Sequence, residues 1–254
     1  MLIVGLSFRF RGIYRGYIAL QRRGDYQGQL SLIEGLRVRG SEPRHYLLLR
    51  GMTLYQLGRL AEAEQALRRS LAMQKKPTFR MHCQDQLGHL LMAQGRWDDA
   101  ANCFQECMAE FPRDSMPRNS MAQLWLRRGQ QPEAALTEAQ RAELVQRARK
   151  PGITKSAKEA HQVRMARCVA VKAWALARNG AGTAPVEAAL QEAFEPCGQK
   201  ATPLRAQMHY FAGRAYGDLG NTAESDRHLQ AARTTDPIGN YGRLAASALA
   251  AVVK

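Results

Sequence analysis

Glycines recur along this chain at intervals close to 34 residues, and this spacing leaves few folds open. Each follows one helical pattern and precedes another, at spacings of 34, 37, 34, 51 and 40 residues. The six positions are Gly24, Gly58, Gly95, Gly129, Gly180 and Gly220. A glycine there is typical of a helix C-cap, because it adopts the left-handed backbone conformation without a steric penalty. A period of this length indicates a repeat architecture, so the chain is predicted to be an array of helical units that stack on one another.

The composition supports helices. Ala, Leu, Gln and Arg are abundant, whereas Val and Ile are scarce, and this balance favours helix over sheet. Hydrophobic residues make up 45% of the chain and charged residues 23%, which is ordinary for a globular protein and argues against overall disorder. No run of about 18 apolar residues occurs, so the sequence contains no complete transmembrane helix.

Hydrophobic periodicity predicts six antiparallel helix pairs. They are residues 11–22 with 26–38, 44–57 with 60–74, 79–94 with 97–110, 116–128 with 131–149, 156–179 with 185–195, and 203–219 with 222–234. The tail from Gly239 to Lys254 is predicted to form an Ala-rich helix that caps the last pair, because an end pair otherwise exposes an apolar face.

Small residues face each other across the two helices of the clearest pairs. Gly51 is followed twelve positions later by Ala63, and Gly88 is followed at the same distance by Ala100. These segments resemble the tetratricopeptide repeat family. The resemblance implies an all-α fold, a right-handed α-solenoid of antiparallel helix pairs with a C-terminal capping helix. It also implies that large residues fill the layer between units, here Leu54, Leu60 and Leu67, then Leu91, Trp97 and Phe104.

The resemblance divides the chain into three parts. Residues 1–10 are an apolar and basic N-terminal segment, a candidate membrane-proximal stub, and residues 11–149 form repeats 1–4. Residues 150–254 hold a degenerate repeat with a long helix, a final repeat and the capping helix; a hinge between two halves is the alternative for the region around 130–200. Gln29 and Glu138 depart from the pattern, since a small or apolar residue is usual at both places.

In this family the first helices line the concave face, where peptides usually bind. The resemblance therefore implies a mixed groove with arginines at both ends and aromatic side chains available as anchors. The candidate groove residues are Arg15, His45, Met52, Tyr55, His82, Asp85, Gln86, His89, Asn119, Gln123, Arg127, Arg167, Trp174, Arg178, Tyr210 and Arg214. The Lys, Arg and Asn set with which some members hold a terminal carboxylate is missing, because Asn119 alone stands at a comparable place.

Charge suggests two further kinds of partner. The formal net charge is +15, and the excess lies in residues 1–77 and 113–254. Five arginines follow the apolar start of the chain, namely Arg9, Arg11, Arg15, Arg22 and Arg23. They would suit an anionic inner leaflet, or the basic regions could bind a polyanion. The polyanion alternative ranks last, since no nucleic-acid module is recognisable and few aromatic residues accompany the arginines.

Catalytic and metal-binding motifs have little support. Cys103 and Cys107 lie one helical turn apart, and His82, Asp85 and His89 could share one helix face. Two thiolates make a poor metal site, and polar groove residues are far commoner than ligands. The sequence therefore predicts no cofactor, no metal and no enzymatic activity. Five cysteines without a CxxC pair favour a reduced, cytoplasmic chain, with membrane association through the N-terminus as the alternative.

Together these features predict a protein–protein interaction scaffold that binds a peptide or helix of a partner in the concave groove. The two alternatives are a membrane-associated assembly factor and a polyanion-binding regulator. The sequence does not identify the partner or the oligomeric state.

Overall fold

The computed structural model describes residues 8–37, 44–198 and 202–252, and describes side chains within 12–35, 46–198 and 202–251. Over these ranges the chain is helical, without strands. The helices are α1 (Phe8–Arg22), α2 (Tyr26–Arg37), α3 (Arg44–Gln56), α4 (Leu60–Met73), α5 (Pro77–Ala93), α6 (Trp97–Glu110), α7 (Ser115–Arg128), α8 (Pro132–Ala148), α9 (Lys155–Arg178), α10 (Thr183–Phe194), α11 (Pro203–Asp218), α12 (Thr222–Thr235) and α13 (Asn240–Val252), with a 3-10 turn at Glu195–Cys197.

Consecutive helices pack as antiparallel pairs, and the first helices of the pairs also contact one another. The series α3, α5, α7, α9 and α11 forms such a continuous layer. Each second helix, such as α4 or α6, packs on its own partner and on the first helix of the next pair. The first helices therefore line the inner face of an all-α solenoid, as the sequence predicted.

The glycine spacing has the predicted structural meaning. All six repeat glycines adopt positive φ angles, between 70 and 77°. The amide of Gly58 donates to the carbonyl of Tyr55, and the amide of Arg59 donates to the carbonyl of Leu54. These two hydrogen bonds cap the end of α3 before α4 begins at Leu60. A residue with a Cβ would be strained in this left-handed conformation, so glycine fixes the position of each turn.

A second group of glycines sets the spacing within the helix pairs. A Cβ on Gly88 would lie 2.4 Å from the ring of Phe104, and one on Gly51 would lie 2.6 Å from Cγ of Leu67. Gly213 meets Leu229 in the same way, at 2.7 Å. In all three pairs the large residue lies sixteen positions after the glycine. These large residues therefore fill the space above their own pair's glycine, in addition to the role between units that the sequence suggested.

The two departures from the repeat pattern are satisfied by polar contacts. Gln29 is buried and its Nε2 donates to the carbonyl of Tyr17 at 3.1 Å, which joins α2 to α1. Glu138 is buried between two arginines, with Arg118 at 2.7 Å and Arg141 at 2.8 Å. A paired carboxylate can therefore occupy a position where an apolar residue is usual.

Three apolar clusters form the core, and they overlap along the solenoid. One joins α1, α2 and α3, a second runs from α2 to α7, and the third extends from α7 to α13. Trp125 packs against both the second and the third cluster. The long helix α9 contacts α7, α8, α10 and α11, so the lengthened repeat shares its core with its neighbours on both sides.

The C-terminal end of the solenoid returns to its beginning. Helix α13 packs on α11 and α12, as expected of a cap, but its first turn also meets α3. Nearby, the hydroxyl of Tyr26 donates to Asp236 at 2.6 Å, and Arg22 pairs with Glu159 at 2.8 Å. The two ends of the solenoid therefore meet, which the repeat pattern alone did not indicate.

Two histidines join α11 to α12. Nδ1 of His209 lies 2.9 Å from Nδ1 of His228, and the ring of Phe194 packs on the histidine pair. Burial lowers the pKa of both side chains to about 4. His228, Arg205 and Arg227 lower the pKa of His209 further, and at His228 the effect of Arg227 is opposed by Glu224. The pair is therefore held in its neutral form.

Acid should destabilise this part of the solenoid. Each folded-state pKa lies below the unfolded value of 6.5, so the unfolded chain takes up protons first as the pH falls. The contribution of this neutral histidine pair to the free energy of unfolding is therefore fully present above about pH 6.5, and it is lost as the pH falls toward about 4. We expect the variant His209→Gln/His228→Gln to lose less stability than wild type over this range in thermal unfolding followed by circular dichroism. Parallel curves for the two proteins would contradict this expectation.

Candidate functional site: the inner face

Side chains from five helices meet at the centre of the inner face. We call Tyr55, Arg127, Arg167, Tyr210 and Tyr241 the central cluster; they come from α3, α7, α9, α11 and α13. The rings of Tyr210 and Tyr241 lie 5.6 Å apart. Burial raises the pKa of Tyr241, with a further contribution from Tyr55 and an opposing one from the two arginines. These five side chains therefore lie close together at the centre of the inner face, where Arg127 is half-buried and Arg167 is exposed.

Gln207 links the central cluster to α11. Its Nε2 donates to the hydroxyl of Tyr241 at 2.7 Å, and its Oε1 accepts from Nε of Arg167 at 3.0 Å. The amide thus satisfies one donor and one acceptor across three helices. Because Gln207 is itself buried, this network fixes the tyrosine and the arginine relative to each other.

Three inner-face arginines have no carboxylate partner. Arg127 lies over the ring of Trp97 at 5.9 Å, Arg214 lies over the ring of Trp174 at 5.3 Å, and Arg167 bonds to Gln207. Within the part of the chain that the structure describes, no carboxylate oxygen approaches any of them within 4.0 Å. We refer to Arg127, Arg167 and Arg214 as the inner arginines.

Arginines elsewhere on the solenoid are paired far more often. Arg59 meets Glu62 at 2.6 Å, Arg147 meets Glu143 at 2.7 Å, and Arg128 reaches Asp98 at 2.7 Å. Many arginines of the described residues therefore have a carboxylate beside them, including Arg128 and Arg178 on first helices, whereas the three inner arginines have none. Acidic groups would be attracted to such a face, since charge-assisted bonds to guanidinium are strong.

Several candidate groove residues are part of the packed interior. Tyr55, Trp174 and Tyr210 are 4%, 0% and 3% exposed. The indole of Trp174 donates to Asp218 at 2.8 Å, and Arg178 donates to the same oxygen at 2.6 Å. These aromatic side chains hold first helices together, so they are not free anchors in this conformation.

Asp85 also has a partner within the fold. It is 1% exposed, and its Oδ1 accepts from the hydroxyl of Ser120 at 2.6 Å. The same hydroxyl lies 3.0 Å from Nε2 of His89, which is 3.9 Å from Asp85. This network connects α5 to α7. Gln86 lies beside it and donates to Asp85 at 3.3 Å.

The other candidates differ in accessibility. Asn119 and Gln123 are buried on α7, and Oδ1 of Asn119 has no hydrogen-bond partner among the described residues. Met52 and His82 are half-buried, while Arg15 is exposed on α1. The side chain of His45 lies outside the described residues. Burial lowers the pKa of His82, so that side chain is neutral near pH 7.

The predicted membrane-proximal segment is described only in part. Residues 1–7 and the side chains of Arg9 and Arg11 lie outside the described residues. Arg15 and Arg22 are exposed on α1 and Arg23 is exposed in the turn that follows, and Arg22 pairs with Glu159. None of the described helices is long and apolar enough to cross a bilayer.

No catalytic arrangement is evident in the part of the chain with described side chains. No three His, Cys, Asp or Glu side chains within it are grouped to hold a metal ion. Burial raises the pKa of Cys103 to about 11, and Cys107 is shifted in the same direction, so neither thiol is activated as a nucleophile or ligand near neutral pH.

The sequence missed Tyr241, Arg243 and Gln207 as residues of the inner face. The two from α13 were missed because that helix was assigned only the role of a cap. One signal was present: α13 begins with Asn-Tyr-Gly-Arg and continues as an almost purely apolar, Ala-rich segment. A polar and aromatic first turn of that kind indicates specific contacts rather than simple covering of an apolar end.

Comparison with known proteins decides the family. A family model described as tetratricopeptide repeat matches residues 14–78 and 86–152, just over half of the chain. The chain belongs to the tetratricopeptide repeat family. Members of this family are generally non-catalytic scaffolds for protein–protein interaction, and the solenoid described above has the architecture of that scaffold.

Solved tetratricopeptide structures share the architecture. PilW, a widely conserved type IV pilus biogenesis factor, gives a TM-score of 0.56 at 13% identity, covering 94% of this chain and 99% of that one. A thermophilic TPR protein of Thermus thermophilus gives 0.51 at 19% identity, covering 82% and 99%. BtubC from P. vanneervenii gives 0.50 at 13% identity, covering 88% and 90%. At these identities the likeness shows the fold alone. No curated protein sequence matches this chain.

Proposed function

We propose that this tetratricopeptide repeat protein is a non-catalytic scaffold that binds a peptide or helix of a partner protein on its inner face. The observation that carries the proposal is the set of inner arginines, which lack carboxylate partners although many other arginines of the described chain have them. An acidic partner segment would supply the missing counter-charges. Arginine beside aromatic rings is also a frequent composition at binding hot spots.

A charge-reversal pair tests this function. We expect the variant Arg127→Glu/Arg167→Glu to lose partner capture from the native cell by about tenfold or more, because it replaces attraction by repulsion at the centre of the face. The matched control is Arg233→Glu, an exposed arginine on α12 that lies outside this face. Capture is measured by affinity purification and quantitative mass spectrometry. Equal capture by the inner-face variant and wild type would contradict the proposal.

The same capture assay, applied to a deletion variant and to nuclease-treated samples, tests the two alternative functions. A partner set that disappears when residues 1–23 are deleted, or that consists mainly of membrane proteins, would favour the membrane-associated assembly factor. Nucleic acid recovered with the protein, and proteins released by nuclease, would favour the polyanion-binding regulator. Both alternatives stay predictions. The inner arginines favour the protein scaffold because an aromatic ring or a buried amide holds each of them in position on the inner face.

A further inference from the structure

Helix α13 occupies the inner face at the place where a partner would bind. Tyr241 belongs to the central cluster, and its ring packs on Tyr210 and Phe211. The next turn of α13 faces the ends of α5 and α7, across a pocket of about 190 Å³ lined by residues that include Ala93, Arg127 and Ser247. The inner face therefore already accommodates a helix, supplied by the chain itself.

The polar contacts of α13 with α3 are few and lie in its first turn. The amide of Asn240 donates to Oε1 of Gln56 at 3.0 Å. The guanidinium of Arg243 donates to the carbonyl of Tyr55 at 3.0 Å and also to the carbonyls of Gln56 and Ile238. These hydrogen bonds join the C-terminal helix to the end of α3. If α13 leaves, water or another helix can take its place as the hydrogen-bond partner of each group on α3.

Helix α13 is a poor electrostatic match for its surroundings. Its thirteen residues include one basic side chain, Arg243, and no Asp or Glu. It therefore lies against Arg127 and Arg167 without supplying a carboxylate to either. A helix of similar size with acidic side chains in the turn that faces Arg127 would keep the apolar contacts and add charge-assisted hydrogen bonds.

We propose that the surface covered by α13, which includes Tyr210, Phe211 and Arg127, is the partner-binding site; we call this surface the α13 seat. Helix α13 fills this site in the free protein, and an acidic amphipathic helix of a partner protein displaces it. This proposal rests on the proposed function given above and adds the place and chemistry of the ligand. Because α13 is tethered, it competes at a high effective concentration. The apparent affinity for the partner is the intrinsic affinity multiplied by the fraction of molecules in which α13 has left the site.

The test uses the full chain and a defined probe. The probe is a fluorescently labelled synthetic peptide of residues 238–252 that carries Ser247→Glu, because Ser247 lines the pocket beside Arg127. One protein variant, Tyr241→Ala/Arg243→Ala, loosens α13. A second, Ser247→Glu, gives α13 its own counter-charge for Arg127 and tightens it. The control, Ala250→Glu, adds the same charge at an exposed position of α13 outside the pocket.

We expect fluorescence anisotropy to give opposite changes for the two variants. The loosened chain should bind the probe about tenfold more tightly than wild type, and the tightened chain about tenfold more weakly, while Ala250→Glu matches wild type. The unsubstituted peptide should bind every protein more weakly than the Ser247→Glu peptide. If Tyr241→Ala/Arg243→Ala fails to fold, the Ser247→Glu variant alone decides the test. Its circular dichroism spectrum and melting temperature must then match those of wild type, which shows that weaker probe binding does not come from misfolding.

Three results would overturn the displacement of α13. They are equal affinity of all four proteins for the probe, no binding to any of them, and dimers of the loosened variant in light scattering, which would make a second copy of the chain the occupant. The proposed function fails separately, because it depends on capture by Arg127→Glu/Arg167→Glu and not on α13. Unequal capture with equal probe affinity would retain the scaffold and reject the displacement.

Discussion

Replacement of Phe104 by alanine is expected to lower the free energy of unfolding by about 3–5 kcal/mol. Phe104 has no exposed surface, and its ring fills the space directly above Gly88, where even a Cβ would lie 2.4 Å from it. Helices α5 and α6 approach closely because of this pairing, so they cannot collapse far enough to fill the cavity that alanine leaves. Urea unfolding followed by circular dichroism measures the loss.

The same pair predicts a rescue. Gly88→Ala alone should destabilise the protein by about 1–3 kcal/mol, since the new methyl group meets an aromatic ring that has no room to move. Combined with Phe104→Leu, the two changes should cost less than the sum of the single substitutions, because leucine leaves space for the added methyl group. Leu144→Ala, at a side chain on α8 that is 66% exposed, is the control and should change stability by less than about 0.5 kcal/mol. Strict additivity at positions 88 and 104 would show that the two residues do not share the space.

Trp174→Ala should be similarly destabilising, by about 3–5 kcal/mol. The side chain is fully buried in the cluster that spans α7 to α13, and its ring packs on Tyr210 and Phe211. Its indole and Arg178 both donate to Asp218, so removal of the indole leaves that carboxylate with one bond fewer. Thermal and urea unfolding of the purified variant give the magnitude.

Trp174→Phe separates a structural role from a binding role. Phenylalanine retains most of the packing and loses the hydrogen bond to Asp218, so we expect a cost of about 1–2 kcal/mol. Because Trp174 is covered in the folded protein, partner capture by Trp174→Phe should equal that of wild type. A large loss of capture with little loss of stability would instead make Trp174 a contact residue, in agreement with its position in the sequence pattern.

The inner face combines aromatic packing beneath α13 with arginines that have no carboxylate partner. The aromatic packing around Tyr210 and Tyr241 favours binding of a helix with an apolar surface, and the inner arginines favour binding of a helix that carries acidic side chains. Helix α13 meets the first requirement and not the second. This difference gives a physical basis for exchange: a partner must exceed the tethered helix in interaction energy, and charge is the property in which α13 is deficient.

Sequence periodicity was sufficient for the helices and their order. The C-cap glycines and the apolar spacing predicted six pairs and a final helix, and the family model and the solved structures confirm the tetratricopeptide repeat fold. These features are local: a helix begins and ends according to residues within a few positions of its ends, and neighbouring helices pair because short connections allow little else. Even the long helix of the degenerate repeat, Lys155–Arg178, follows from this pattern.

The candidate site was predicted less completely. Arg127, Arg167 and Arg214 were correctly placed on first helices, because helical spacing fixes the face on which a residue lies. Burial was harder to predict: Tyr55, Trp174 and Tyr210 lie on the same helices but are covered. Whether such a side chain is open depends on residues that are remote in sequence, among them Asp218 and Tyr241, and no local pattern specifies those contacts.

The amino-acid sequence by itself determined the repeat, the approximate helix bounds, the close approach of the two helices at Gly51 and Gly88, and the excess of positive charge. Only the tertiary structure decided that the solenoid closes on itself, with Arg243 of α13 bonded to the end of α3 and Tyr26 bonded to Asp236. The physical reason is that curvature accumulates from small rotations at each packed interface. The relative position of the two ends is determined by the sum of these rotations over all the interfaces, whereas the start and end of each helix are determined by a few residues of its own sequence.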